Sequence, residues 1–540
     1  MDFAVSRRSV IAGTSAIGIG TMLSSKAIAQ SSTDRPLFST VETNNGKVEG
    51  IDNVGIKAFK GIPYGADTGG ANRFKPPQPP KPWTGTRNCI GFGTINPQVP
   101  ADLRSDYAMM IMWDRHVGAG SMGEDCLNLN VWTPGVDNEK RAVLVCFHGG
   151  GFTSGSGNGP GFDGAQLARF GDVVVVTVNH RLASFGYLHL GELSKDSDLA
   201  GSGNVGVMDM VASLAWVRDN IAAFGGDPSR VMIFGQSGGG AKTSVLYGDP
   251  AAKGLFHRAA VQSGSMLQLT SSDVATQHAT ALLEELDLPK SRVRDLRKVP
   301  WQVMLAAQGR VMRRPGMGWS FVPVLDDAYL KSHPFDPVAP DISRDVPLIV
   351  STTLEDGAIR FNNYDVTDAQ LVQTMTSRYG AQASGLLAAY RRAYPTKSAF
   401  LLQSLLTTDA TVRKSAIKQA ELKASQGGGP VYMYQWNWAT SAYDGKFGAI
   451  HGLDVSATFH SYRDQTLDVG SERGRRVCDE LASAWVAFAK SGDPNNPQIP
   501  KWNAYNATDR ATMIFDDNTR SENDPGGGFR KLWAQLPTTA

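Results

Sequence analysis

Ser237 stands in the run Val231-Met232-Ile233-Phe234-Gly235-Gln236-Ser237-Gly238-Gly239-Gly240, where four apolar residues lead into Gly-x-Ser-x-Gly. The run reads as a strand, a sharp turn and the start of a helix, and a serine on such a turn needs neighbours without a Cβ. Its hydroxyl would then stand exposed at the strand end, placed to attack a carbonyl carbon. A serine hydroxyl is a poor nucleophile until a base takes its proton, and the base needs a carboxylate to orient it and balance its charge. Short Gly/Ser patterns also make ordinary turns in a chain with 58 glycines, so the companion residues decide the reading.

Two further strand ends carry such companions. The apolar run 142–147 is followed by His148-Gly149-Gly150-Gly151-Phe152. Glycines leave backbone N–H groups free to turn toward an oxygen, and three in succession at a strand end match an oxyanion-binding loop. The amides of Gly150, Gly151 and Gly238 are expected to hold a developing oxyanion; one such donor is worth roughly 3 to 4 kcal/mol of barrier. His148 is expected to shape this loop. The third end, Pro347-Leu348-Ile349-Val350-Ser351, leads to Leu354-Glu355-Asp356-Gly357, with two candidate acids side by side. In an elbow of this kind the chain order is nucleophile, acid, histidine, and beyond the acids stand His451 and His460. His451 lies in the loop-like Gly448-Ala449-Ile450-His451-Gly452, from which an imidazole can reach Ser237. His460 follows Ala457-Thr458-Phe459 at a helix start and reads as a partly buried structural histidine.

The elements that must position these groups are visible as periodic runs. Residues 127–132, 142–147, 173–178, 231–234, 259–262, 347–351 and 431–438 read as strands, and 208–224 repeats its apolar residues with helical spacing. Continuous β-branched runs alternating with helices predict an α/β fold, a large and mostly parallel central sheet with helices on both faces. Ligands of such sheets bind beyond the carboxyl ends of the strands, where Ser237, the glycine loop and the acids all lie. Residues 38–51 alternate around Asn44-Asn45-Gly46 and read as a β-hairpin. Pro76, Pro77, Pro79, Pro80 and Pro82 make the stretch 61–85 an irregular crossing. Residues 271–314 and 367–424 read as helical insertions within a single domain spanning 30–540. The Met-rich stretch Tyr107-Ala108-Met109-Met110-Ile111-Met112-Trp113 fits either a buried helical turn or a mobile apolar flap.

Of the 540 residues 41% are hydrophobic and 19% charged, with a formal net charge of +2. This is a soluble globular composition without the field that draws in nucleic acid or anionic membrane, so neither is an expected partner. Four cysteines, Cys89, Cys126, Cys146 and Cys478, are too few and scattered for a disulfide framework or a metal site. Cys146 reads as core, and Cys89 with Cys126 as the one plausible bridge. No metal or organic cofactor is expected. At the N-terminus, Ser6-Arg7-Arg8-Ser9-Val10-Ile11, an apolar run over 10–23 and Ala27-Ile28-Ala29 read as a cleaved twin-arginine-type signal. The run is shorter than the roughly 20 strongly apolar residues of a membrane span. The mature chain is expected to begin near Gln30, without membrane association, in the periplasm or outside the cell.

Taken together the motifs resemble the type-B carboxylesterases, the α/β-hydrolase family that includes cholinesterases and bacterial p-nitrobenzyl esterases. The resemblance runs through Gly61-Ile62-Pro63-Tyr64, Glu124-Asp125-Cys126-Leu127-Asn128-Leu129-Asn130-Val131-Trp132, His148 with its glycines, Asn179-His180-Arg181, Gly203-Asn204-Val205-Gly206, Phe224-Gly225-Gly226-Asp227-Pro228, the elbow, Ile450-His451-Gly452 and Gly492-Asp493-Pro494-Asn495. It implies an α/β-hydrolase fold and a serine esterase working through an acyl-enzyme, with Ser237 as nucleophile and His451 as base. The family's acid immediately precedes a glycine, which selects Asp356 over Glu355.

Three departures accompany the resemblance. Gln236 stands where cholinesterases carry an acid that helps bind a cationic substrate, which points away from choline esters. Gly238 replaces the usual alanine. The family's first disulfide ends in Cys126, but its partner position, just before Pro97-Gln98, is Asn96.

A small-molecule ester is the implied partner. Phe321-Val322-Pro323-Val324-Leu325-Asp326 resembles the stretch that follows the family's acyl pocket, which would put Met317 and Trp319, with Gln236, at the substrate pocket. Arg310, Arg313 and Arg314 read as a solvated face or, because guanidinium pairs with carboxylate in a fork, as a site for an acyl group bearing carboxylates. Family members that strip tricarballylate from fumonisin mycotoxins exemplify the second class. A lipase acting on longer acyl chains, with 109–113 as its flap, is one alternative. A non-catalytic binding domain of the same fold is the other, and the filled nucleophile, acid and base positions favour the enzyme.

Overall fold

The computed structural model describes residues 36–99, 121–318, 320–461 and 471–536. The targeting segment read over 1–29, the Met-rich stretch 107–113 and Trp319 lie outside the described residues.

The strands, in chain order, are β1 Phe38–Thr43, β2 Gly46–Asn53, β3 Ile56–Pro63, β4 Thr86–Asn88, β5 Asn128–Thr133, β6 Arg141–Phe147, β7 Val174–Val178, β8 Gly226–Gln236, β9 Arg258–Gln262, β10 Thr270–Ser271, β11 Val324–Leu325, β12 Leu348–Thr353, β13 Val431–Trp436, β14 Ala511–Phe515 and β15 Arg520–Asn523. All but β10 and β11, which pair with each other, join a 13-stranded sheet of order β1-β2-β3-β5-β7-β6-β8-β9-β12-β13-β14-β15, with β4 beside β2. From β7 through β14 every neighbouring pair is parallel. The β-branched runs bury both faces: β6, β7 and β12 are buried at every position. Along β6 the side chains alternate, Val143, Val145 and Phe147 entering one core cluster and Ala142, Leu144 and Cys146 the other. Period-two alternation between two apolar layers is what a sheet covered by helices on both faces requires.

The strand at 127–132 is not part of the parallel run. β5 is antiparallel to both β3 and β7. A parallel step needs a crossover of a dozen or more residues, and residues 134–140 between β5 and β6 hold no helix, whereas β7 is linked to β8 through the helix Val205–Asn220. That helix begins three residues before the periodic run and hands over to a 3-10 turn, Ile221–Phe224. The insertions are helical as expected: Ser272–Glu285 and Trp301–Met312 in the first, Asp368–Tyr379, Ala383–Ala393, Ala399–Ala410 and Val412–Gln426 in the second. Thr367 and Gln370 form a capping box that starts the second insertion. Among the described residues no helix is long and apolar enough to cross a membrane.

All four cysteines are free and buried, so no bridge joins Cys89 to Cys126. Cys126 faces Asn96 instead, Sγ to Oδ1 3.9 Å, and Asn96 is the residue that stands where the family has the partner cysteine. Burial pushes the Cys89 thiol up to about 11.

Candidate active site

β8 ends at Gln236, and Ser237 follows with φ 59° and ψ −122° before the helix Gly238–Gly248 begins. A positive φ is costly for a serine and persists only where the surroundings over-determine it. Here its N–H donates to Gln262 O at 2.8 Å and its carbonyl accepts from Ala241 N at 3.0 Å, which ties the turn to β9 and to the helix. Ser237 is partly exposed while Gln236 and Gly238 on either side are buried.

The glycine loop leaves the end of β6 beside this turn. Gly150 and Gly151 have φ +89° and +61°, the left-handed region that favours glycine. A Cβ on Gly238 would lie 2.2 Å from Gly151 O and 2.3 Å from Gly151 N, so loop and elbow meet backbone to backbone. Among the described residues, none accepts a hydrogen bond from the N–H of Gly150, Gly151 or Gly238. His148 stacks on His180, ring centroids 5.0 Å apart at 13°, and its Nδ1 lies 2.8 Å from Gly149 O. It shapes the loop, in keeping with its place before the glycines.

The two acids after β12 part company. Asp356, fully buried, places Oδ1 on His451 Nδ1. Its Oδ2 accepts from Ser263 Oγ at 2.6 Å and from Thr353 N at 3.0 Å. Glu355, equally buried, pairs with Lys397 and accepts from Ala449 N at 2.8 Å. Glu355 N also donates to Ala449 O at 3.0 Å, so this residue clamps the strand end to the loop that carries His451. Its role as a clamp was not legible in the sequence, where it was only the neighbour of Asp356. With Nδ1–H given to Asp356, His451 Nε2 is an acceptor, and Gln236 Nε2 lies 3.1 Å from it.

Asp454 is a further buried acid that sequence reasoning missed, although it stands three residues after His451. It accepts from Tyr434 Oη at 2.7 Å and Gln262 Nε2 at 3.0 Å. Burial, reinforced by the charge of Asp356, pushes it up to about 6 against the Tyr434 hydrogen bond.

The other residues singled out in the sequence have contacts of their own. His460 packs on Phe170 with Nε2 2.7 Å from Asp479 Oδ1, a buried structural position. Met317 is half-buried against the larger core cluster. Arg310 donates to Glu285 at 2.6 Å, and Arg314 donates to Glu284 at 3.0 Å and Glu285 at 2.5 Å, so two of the three guanidinium groups are already engaged. Arg313 is exposed. The described residues contain no cluster of His, Cys, Asp or Glu able to hold a metal ion.

Residues 38–528 match the carboxylesterase family. The chain is similar to the para-nitrobenzyl esterase of Bacillus subtilis (strain 168), 32% identical over 497 residues that cover 90% of this chain and 96% of that one. It is similar to the fumonisin B1 esterase of Sphingopyxis macrogoltabida, 30% identical over 520 residues, 92% of this chain and 90% of that one. Among solved structures it matches a carboxylesterase of Geobacillus stearothermophilus with a TM-score of 0.78 at 32% identity, over 92% of this chain and 99% of the other. With this fold, this sheet order and a match that spans the described chain, the protein belongs to the carboxylesterase family of α/β-hydrolases and is a carboxylic ester hydrolase.

Proposed function

We propose that hydrolysis proceeds by two acyl transfers through an acyl-enzyme on Ser237. Ser237 Oγ attacks the ester carbonyl carbon while His451 Nε2 takes its proton, and Asp356 keeps Nδ1–H and balances the imidazolium charge. The amides of Gly150, Gly151 and Gly238 receive the oxyanion of the tetrahedral intermediate. Its collapse breaks the bond to the alcohol oxygen, which leaves with the proton from Nε2. A water molecule, deprotonated at the same nitrogen, then attacks the acyl-enzyme, and the acid is released as the serine regains its proton.

One observation carries this reading: the buried Asp356–His451 pair arrives at the residue next to the strained serine, Nε2 within 3.1 Å of the Gln236 amide. Nε2 then has only to exchange that amide for the adjacent hydroxyl. A fluorophosphonate should label one peptide, that of Ser237, and Ser237→Ala should abolish both labelling and hydrolysis. Hydrolysis surviving in Ser237→Ala would overturn the reading.

The substrates we propose are small esters whose alcohol carries no cation, because Gln236 presents an amide to the site. Esters of polycarboxylic acids are a second reading, supported by the similarity to a fumonisin B1 esterase and not by Arg310 and Arg314, which Glu284 and Glu285 already engage. Rates on a panel of esters differing in acyl length and charge separate the two, and a preference for long acyl chains would favour a lipase. We further propose that 1–29 exports the chain. N-terminal sequencing of protein recovered from the periplasm or medium should then begin near Gln30, and Arg7→Lys with Arg8→Lys should retain it in the cytoplasm.

A further inference from the structure

Three consecutive glycines make a loop with no side chain to anchor it and with the largest backbone entropy to lose. Oxyanion donors accelerate a reaction because they are held in place before charge develops. Something outside the glycines has to hold this loop. Five residues past Ser237, on the helix Gly238–Gly248, Lys242 is completely buried, a rare placement for lysine. Its Nζ donates to His148 O at 2.8 Å, where the loop leaves β6, and lies 5.9 Å from the ring of Phe152, where the loop ends.

The sheet itself gives no reason for a cation there. No described ion pair engages Lys242, and among the described residues the Cys146 thiol and His180 are titratable groups that face it. Burial pushes the ammonium down to about 7, opposed only by Cys146. Leucine or methionine would fill the volume without that cost.

We propose that Lys242 is a positioning residue for ester hydrolysis: through its hydrogen bond to His148 O it straps the 149–151 loop to the helix that begins at Ser237. Elbow and loop then move as one body, and the Gly150 and Gly151 amides keep their aim toward the carbon that Ser237 attacks. The proposal rests on the acyl-enzyme reading given above.

Lys242→Met and Lys242→Gln, with Ser237→Ala alongside, test it on p-nitrophenyl acetate and with an aryl trifluoromethyl ketone, which forms a tetrahedral adduct. In Lys242→Met, kcat should fall about tenfold to a hundredfold, less than the loss of a whole oxyanion donor. KM should stay within about twofold and the melting temperature should not fall, since a buried charge has been removed. The inhibition constant of the ketone should rise by the factor that kcat/KM loses, a link that a merely structural role would not produce. Lys242→Gln, whose amide can donate to His148 O, should recover part of the loss. Wild-type kcat in Lys242→Met, or a fall in kcat with no change in ketone affinity, overturns the proposal. If Lys242→Met does not fold, the same two readouts on Lys242→Leu, which likewise has no donor for His148 O, decide by the same criteria. Activity retained in Ser237→Ala would instead sink the acyl-enzyme reading itself.

Discussion

The side-chain amide of Gln236 lies 3.1 Å from Nε2 of His451, across the carboxyl end of the sheet. The residue before the proposed nucleophile thus holds the nitrogen on which the proposed base would work. An amide can donate to a neutral imidazole and, turned over, accept from an imidazolium, so it serves both protonation states without adding charge. A carboxylate in its place would add a full negative charge beside the substrate.

That difference makes Gln236→Glu a probe of alcohol preference. The carboxylate should raise kcat/KM for acetylthiocholine relative to an uncharged thioester of similar size by about tenfold, equivalent to ~1.4 kcal/mol. Equal changes for the two substrates would mean that Gln236 does not face the alcohol.

Gly238→Ala tests the contact between elbow and loop. The added Cβ would lie 2.2 Å from Gly151 O and 2.3 Å from Gly151 N, and backbone on both sides leaves nothing flexible to give way. The loop has to retreat, so kcat/KM should fall by about 10²- to 10³-fold, the range for a lost oxyanion donor. Steady-state kinetics with circular dichroism on the same sample checks that the fold survives. Unchanged activity would show that the loop tolerates displacement and that the alanine usual in the family could stand here.

Why the serine turn and the glycine loop could be read from sequence, while much of their support could not, follows from the range of the forces involved. Ser237 and Gly151 need small neighbours within a few residues, so the requirement leaves a local trace. β6, β7 and β12 show as apolar runs because both their faces are buried. Glu355 gains its role from Ala449, 94 residues away, and from Lys397. Arg310 and Arg314 are neutralised by acids on the preceding helix, a pairing that the local charge cluster does not announce. β14 is a five-residue run in a stretch rich in Asn and Asp, and its pairing with β13 is what makes it a strand. The Cys89–Cys126 expectation failed for the same reason: which residue faces Cys126 is decided by the packing of Asn96, not by the spacing of cysteines.

Exchanging the two adjacent acids separates chemistry from support. Asp356→Asn leaves the size unchanged but loses the charge that steadies His451, and kcat should drop about 10⁴-fold, as when the carboxylate of a comparable triad is replaced. Glu355→Gln should cost less than about tenfold in kcat but lower the melting temperature, since it leaves Lys397 without its buried partner. Stopped activity in Glu355→Gln with activity retained in Asp356→Asn would reverse the assignment.

Asp454 predicts a pH-dependent stability. Its carboxyl rises from 3.8 to about 6 on folding, chiefly through burial, so the native state binds this proton more tightly than the unfolded chain. Between those two values the folded protein holds more protons, and stability from this group is present at the acid end and declines as pH rises through about 6. Asp454→Asn keeps an acceptor for Tyr434 and Gln262 and removes the titration. The melting temperature of the variant relative to the native chain should therefore be lowest near pH 4, climb between pH 4 and 6 and level off above. Calorimetry of both proteins across that range measures the difference directly, and a difference independent of pH would mean that Asp454 is ionised alike in the folded and unfolded states.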